Sequence, residues 1–253
     1  LFKRSFRLAA ISGMLSITLL IFNGHSQAQH MVQIQPMKTA AAEALWETED
    51  PASFSLLTIG DLTLCNEVFS IRIPGVLSLL SFNQFQGAVR GLNDLQAEFE
   101  QKYGPGNYIP PVAIPYWSFR IMVGFGFLMA GAAVFALVLS LRDTFEKRAR
   151  WLRFFPLLIL VPYAANTAGW VLTEVGRFPW VVYRLVTLEQ GASQVVTSGM
   201  LLISLIGYIL VYSLLIVATL YLLRKYAMAG PEPTAAAAVA MADPEPSLLG
   251  VGE

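Results

Sequence analysis

Charge is what this sequence has least of. Only 13% of its 253 residues are Asp, Glu, Lys or Arg, roughly half the ~25% of an ordinary soluble domain. The seventeen basic and seventeen acidic residues cancel, so nothing suggests a strongly basic surface or a nucleic-acid partner. There is one cysteine, Cys65, and no metal-ligand spacing surrounds it. An internal disulfide is therefore excluded, and Cys65 reads as a thiol in a loop. The only histidines are His25 and His30, both just past the first apolar run, where a surface role is the default. Walker, GxGxxG, CxxC and HExxH patterns are missing. Nothing favours a serine-hydrolase arrangement, and no internal repeat is found.

What the chain has instead is hydrocarbon character: 55% of residues are hydrophobic and the mean hydropathy is +0.57. Four segments are long and apolar enough to span a bilayer, which takes about 20 helical residues. The first lies within 1–24, with its apolar run over 5–24, and the others occupy 116–141, 154–173 and 199–223. Basic residues set the orientation. Lys3, Arg4 and Arg7 precede the first span, Arg142, Lys147, Arg148, Arg150 and Arg153 fill the 142–153 link, and Arg224 and Lys225 follow the fourth. These are ten of the seventeen basic residues, and up-down threading puts all of them on one side. The expectation is an all-α, polytopic transmembrane helical bundle of about four spans, with both termini and the link cytoplasmic. A competing reading of the start is a secretory signal, given its basic residues, apolar stretch and small-residue site at Ser26-Gln27-Ala28; the apolar run is rather long for one. The chain opens on Leu rather than Met, which points to a fragment.

Residues 25–115 form a large external segment, well beyond the usual loop. QPMKTAAAEALWETE has good helix formers and no interior Gly or Pro. The spacing over 82–103 predicts one amphipathic helix. Prolines 105, 110, 111 and 115 then stiffen the approach to the second span. Residues 174–198 make a shorter external segment, and the Ala-, Pro- and Glu-rich end of 224–253 reads as a disordered cytoplasmic tail.

Polar groups near the spans are the candidates for chemistry. In the third span Tyr163, Asn166, Trp170, Glu174 and Arg177 follow steps of three, four, four and three, which puts them on one stripe; Pro162 is placed to bend the helix beside it. Ionisable groups at a span usually mark a functional path, although Glu174 and Arg177 could equally pair with each other just outside hydrocarbon. Trp170 alone is an ordinary interfacial aromatic. Arg120, a few residues inside the second span, can snorkel to the headgroups. Met122 is either packing or a thioether ligand for haem iron, and on a straight helix it points away from Arg120. Lys38 and Glu43 are five apart, so neither supports the other within a helix and each is free to face something else. Glu43, Trp46 and Glu47 share a face, which a solvated surface would explain.

Three motifs together, KTAAAEALWETE (38–49), WSFRIMVG (117–124) and GWVLTEVGRFPW (169–180), resemble the C-terminal half of subunit I of cytochrome bd quinol oxidase, of the short quinol-loop type. The resemblance extends to about residue 225. It implies that 25–115 is the quinol-oxidising loop, with Lys38 and Glu43 acting on quinol. It implies that Met122 is an axial ligand of the low-spin haem b, with Arg120 beside that haem. Glu174 would ligate the high-spin haem b near haem d or its equivalent, and Trp170 and Arg177 would pack against and stabilise the haems. The implied partners are the N-terminal half of the subunit, subunit II, a very small single-span subunit, membrane lipid and quinone. The implied location is the bacterial inner membrane. Two departures stand out. The family motif usually has Gln where this chain has Phe178, and the family subunit has about nine spans with its haem-ligating histidines in the part missing here. The resemblance thus implies part of a quinol:oxygen oxidoreductase, inactive without its other half. The alternatives are a non-redox transporter using the third-span stripe, or a non-functional truncated product.

Overall fold

The computed structural model describes residues 2–61, 64–142, 153–193 and 195–230. Most of the 142–153 link and the tail from 231 onward lie outside these residues. The fold is mostly helical, with four helices long and apolar enough to cross a membrane. The chain divides into two units, residues 1–192 and 193–253.

In the first unit α1 runs over Phe2–Ile34. Its 33 residues span about 50 Å at about 1.5 Å per residue, well beyond a hydrocarbon core of about 30 Å. The helix continues ten residues past the expected end of the span, so His25 and His30 lie on helix rather than in a loop. His25 bonds Asn83 (2.8 Å) and Gln29 (3.1 Å). Helix α5 (Ala113–Leu141) packs against α1 and against α6 (Leu160–Val175). Arg7, near the start of α1, donates to the hydroxyl and carbonyl of Ser140 near the end of α5, both at 3.2 Å, so the two helices run antiparallel. At the same end the Phe155 ring sits between Phe6 (5.6 Å, edge-on) and Phe135 (6.2 Å, stacked). Phe155 belongs to a 3-10 turn, Phe155–Ile159, that leads into α6. Pro162 falls in the first turn of α6, directly after the 3-10 turn, where its missing backbone N–H costs least.

Between α1 and α5 the chain builds a small packed body. Helix α2 (Pro36–Glu43) begins with proline at its first position and is stopped by Ala44, whose φ of 48° closes the end with bonds to the Ala40 and Ala41 carbonyls. The supposed common face of Glu43, Trp46 and Glu47 is therefore broken after its first member. A β-hairpin follows, β1 (Phe54–Gly60) antiparallel to β2 (Glu67–Ile73). The helix expected over 82–103 is shorter: only α4 (Leu92–Tyr103) falls within it, because residue 82 ends a separate helix, α3 (Val76–Phe82), and 83–91 is not helical. Asn83 turns left-handed (φ 57°), and Gly91 lies against the Trp46–Glu47 backbone, where a Cβ would come within 2.4 Å. These local demands override the helical pattern. Met37, Ala40, Ala41, Leu45, Leu92, Leu95, Phe99, Tyr116 and Trp180 form one buried core. That core fixes α2 against α4, the start of α5 and the chain after α6. A second small hairpin, β3 (Trp180–Val182) with β4 (Val186–Thr187), and the turn α7 (Leu188–Gly191) complete the unit.

The second unit contains α8, Ser198–Ala229, capped at its start by the Thr197 hydroxyl and ended at Gly230 with φ 72°. It extends six residues past the expected span.

Candidate functional site

Helix α2 carries two charged side chains, and both are buried: Lys38 is 6% exposed and Glu43 2%. The solvated face that their spacing allowed does not exist. Isolated buried charge is costly, and the two charges, at opposite ends of the helix, meet that cost differently.

At its C-terminal end Glu43 meets Arg120 of α5 in a two-point ion pair, with N–H···O distances of 2.8 and 3.2 Å. The Ser55 amide donates to the same carboxylate at 3.2 Å. Arg120 also donates to the Ala42 carbonyl at 2.8 Å and to the Ser55 carbonyl. Its guanidinium lies 4.3 Å from the centre of the Tyr116 ring and 5.2 Å from those of Phe54 and Phe119. Arg120 therefore reaches out of its span to protein rather than to headgroups. Burial pushes the Glu43 carboxyl above the usual carboxylate range, with Arg120 pulling it back. One guanidinium donor, Nε–H, is buried and unspent among the described residues.

At the other end the Lys38 stem crosses Gly176, just past the end of α6. A Cβ on Gly176 would stand 2.8 Å from Lys38 Cγ, so the contact requires glycine. Burial lowers the Lys38 ammonium from its ordinary value, Arg177 lowers it further and Glu174 opposes them. Glu174 and Arg177 are themselves ion-paired one turn apart, and Arg177 donates to the Val181 carbonyl at 3.1 Å. Of the two expectations for that pair, mutual pairing is the arrangement found.

Met122 and Arg120 point to different sides of α5, as their spacing requires. The Met122 sulfur packs into a notch at Gly169 of α6, where a Cβ would come within 2.9 Å. The rest of the α6 stripe faces outward: Tyr163 is 71% and Trp170 64% exposed, and Asn166 is exposed as well. Phe178 is exposed too. The seven candidates thus fall into two charged clusters joined by α2, namely Glu43 with Arg120 and Lys38 with Glu174 and Arg177. Met122 sits deeper between α5 and α6, and Trp170 stands apart on the surface. Among the described residues no three His, Cys, Asp or Glu side chains gather as a metal site.

The sequence reading missed Ser55, Thr58 and Tyr116, which surround the Glu43–Arg120 pair. Ser55 is twelve residues from Glu43 and is brought back only by the hairpin. The alternation in EVFSIRI was the available signal for that hairpin. It also missed Gly169 and Gly176, whose spacing of seven places both on the side of α6 that meets Met122 and Lys38.

Residues 1–231 match the family described as cytochrome bd terminal oxidase subunit I. The chain is 42% identical over 232 residues to cytochrome bd ubiquinol oxidase subunit 1 of Bacillus subtilis, covering 91% of this chain and 50% of that protein. It is 30% identical over 286 residues to cytochrome bd-II ubiquinol oxidase subunit 1 of Escherichia coli, covering 90% and 55%. Among solved structures it is similar to bd oxidase from Geobacillus thermodenitrificans, with a TM-score of 0.71 and 29% identity over 89% of this chain and 49% of that one. The chain spans about half the length of the curated relatives it matches. With four apolar helices, paired charges at the ends of two of them and these likenesses along nearly its whole length, the chain belongs to the cytochrome bd terminal oxidase subunit I family.

Proposed function

We propose that this chain is the C-terminal half of the haem-bearing subunit of a bd-type quinol:oxygen oxidoreductase, working with the other half of subunit I and with subunit II. Its helices would cross the bacterial inner membrane with both termini cytoplasmic. The Arg7–Ser140 contact supports that orientation, because it joins the ends of α1 and α5 that carry the basic residues. The body between α1 and α5 would then face outward and form the quinol-oxidising region.

The observation that carries this reading is the burial of both α2 charges at the ends of two membrane helices, Glu43 paired with Arg120 and Lys38 set beside the Glu174–Arg177 pair. An apolar pair of the same size would usually serve stability as well or better, whereas perturbed ionisable groups gather at functional sites. Quinol oxidation releases two protons. Glu43, its affinity for a proton raised by burial, would take one from a quinol hydroxyl. Lys38 would donate a hydrogen bond to the ring oxygen, and its reduced proton affinity keeps it responsive to that contact. Arg120 would hold the Glu43 carboxylate in place once the proton has left.

The residues fit one side of a haem site in their chemistry. Met122 offers a thioether half-buried beside α6, and the buried, unspent Nε–H of Arg120 suits an anionic propionate. Glu174 offers a carboxylate within a partly exposed ion pair. When bound, haem would supply one-electron acceptance and, at haem d or its equivalent, the reduction of oxygen to water. Met122 and Glu174 would each contribute a single ligand. The remaining ligands would come from the half of the subunit that this chain does not span, and the exposed Tyr163–Asn166–Trp170 face gives haem or protein a polar and aromatic surface to cover.

Glu43→Gln in the assembled oxidase tests the reading. General acid–base catalysis contributes about a hundredfold or more, so quinol turnover should fall by that order while the haem absorption spectrum is unchanged. A wild-type rate would refute it.

A further inference from the structure

The β1–β2 hairpin is built inside out. Leu56, Ile59, Val68, Phe69, Ile71 and Ile73 are exposed, whereas Ser55 and Thr58 are fully buried. Residues three apart on a regular strand point to opposite faces. Here a β-bulge between Ser55 and Leu57 shifts the register, so both hydroxyls turn inward. Once inside they bond to one another rather than to the nearest carbonyls. The Tyr116 phenol is 2.8 Å from Ser55 Oγ, Ser55 Oγ is 2.8 Å from Thr58 Oγ1, and Thr58 Oγ1 is 3.0 Å from Ser70 Oγ. Thr58 and Ser70 are direct cross-strand partners. Ser70 is half-buried, so the row runs from a fully enclosed residue to the rim of the hairpin. Its inner end is Ser55, whose amide holds the Glu43 carboxylate.

We propose that the Ser55–Thr58–Ser70 hydroxyl row is the exit path for the proton that Glu43 takes from quinol. A hydroxyl can accept one hydrogen bond and donate another, and in each contact of the row either oxygen can be the donor. The Glu43 O–H bond breaks as its proton passes to Ser55 Oγ, across one water or after rotation about the Ser55 Cα–Cβ bond. Ser55 releases its own proton to Thr58, Thr58 to Ser70, and Ser70 to water. Each hydroxyl ends with one proton as it began, Glu43 is left a carboxylate facing Arg120, and no electrons move along the path. The hydroxyls are positioning and relay groups; none of them touches quinol.

The inference rests on Glu43 being the proton acceptor, and the experiment separates the two. Thr58→Val keeps the shape and removes the hydroxyl, and Thr58→Ser keeps the hydroxyl. In the assembled oxidase Thr58→Val should lower kcat for quinol oxidation about tenfold, less than the hundredfold or more of the general base itself, because the relay does not touch quinol. It should also raise the solvent deuterium isotope effect, with KM and the haem spectrum unchanged, and Thr58→Ser should restore both rate and isotope effect. Ser70→Ala, at the less crowded end, should repeat the loss if Thr58→Val fails to assemble. Thr58→Val or Ser70→Ala assembling with a wild-type rate and isotope effect overturns the path, and so does Thr58→Ser being as slow as Thr58→Val. If Glu43→Gln is slow while the hydroxyl variants are normal, only the path falls. A normal Glu43→Gln removes the proton acceptor, and both proposals fall together.

Discussion

Replacing Arg120 with Leu leaves Glu43 without its counter-ion in a site 2% exposed to solvent. Removing one partner of a buried ion pair costs about 3–5 kcal/mol, and losing the guanidinium from the Tyr116 face adds about 1 kcal/mol. The carboxylate has one escape, which is to take up a proton. Arg120 is the largest influence holding the Glu43 carboxyl down against burial, so in the variant its proton affinity in the folded state rises further. A raised folded value gives stability that is complete below the unfolded value, about 4.3 for Glu, and is lost as pH rises through the folded value. The variant should therefore lie closest to wild type in acid and fall behind as pH rises toward neutrality and above. Replacing both residues by Leu should recover most of the loss at the higher pH. Some deficit should remain, because the Ser55 amide and the Ala42 carbonyl also lose partners. The assay is the heat-inactivation half-life of the assembled oxidase, followed by haem absorbance at pH about 5.5 and about 8, with the two single variants and the double variant forming a cycle. If Arg120→Leu matches wild type at the higher pH, or the double variant is as unstable as the sum of the singles, the pair is not a buried, coupled unit.

Two further outcomes follow from the Lys38 end of α2. Gly176→Ala puts a methyl 2.8 Å from Lys38 Cγ and 2.5 Å from the Leu172 carbonyl; overpacking of this kind costs about 1–3 kcal/mol, and displacement of Lys38 should raise KM for quinol in steady-state assays, with KM left at the wild-type value counting against the contact. Lys38→Met keeps the stem and removes the charge. Burial and Arg177 depress the Lys38 value, and a depressed group gives stability only above its unfolded value of about 10.4, losing it as pH falls through the folded value. At neutral pH the ammonium is thus a liability to the fold, so Lys38→Met should lengthen the heat-inactivation half-life while slowing quinol turnover; a shorter half-life would refute that sign.

The spans were legible because hydrocarbon tolerates so few sequences. Some twenty apolar residues between basic flanks have little alternative to a membrane helix, and the expected second span, 116–141, is found as Ala113–Leu141. The ends were less legible, since α1 continues to Ile34 through a polar stretch that is helical without being apolar. Outside hydrocarbon the pattern lost its authority. Lys38 and Glu43 looked like surface charges because nothing within KTAAAEALWETE pairs with either. Glu43 is paired with Arg120, seventy-seven residues away, and Lys38 is brought beside the charges near Gly176, both by tertiary packing. The break between α3 and α4 had signals in Asn83, Gly87 and Gly91, but an apolar spacing that suits a helix concealed them.

The α6 stripe shows what periodicity can and cannot decide. Steps of three and four put Tyr163, Asn166, Trp170 and Glu174 on one face, and that face is real. Which surface it meets is a different question, answered by the neighbours and not by the helix. In this chain Tyr163, Asn166 and Trp170 look outward, and a polar, aromatic face on a membrane-spanning helix is unfavourable against lipid alone. The side of α6 turned inward is marked by Gly169 and Gly176, which admit Met122 and Lys38. Glycine on that side and polar groups on the other give α6 two distinct faces, one closed by α5 and α2 and one left exposed. Helix α2 ties the inner face to the Glu43–Arg120 pair. A disturbance of charge at Glu43 therefore has a short covalent route, seven buried residues long, to Lys38 beside the Glu174–Arg177 pair, and the same helix fixes the distance between the two charged clusters.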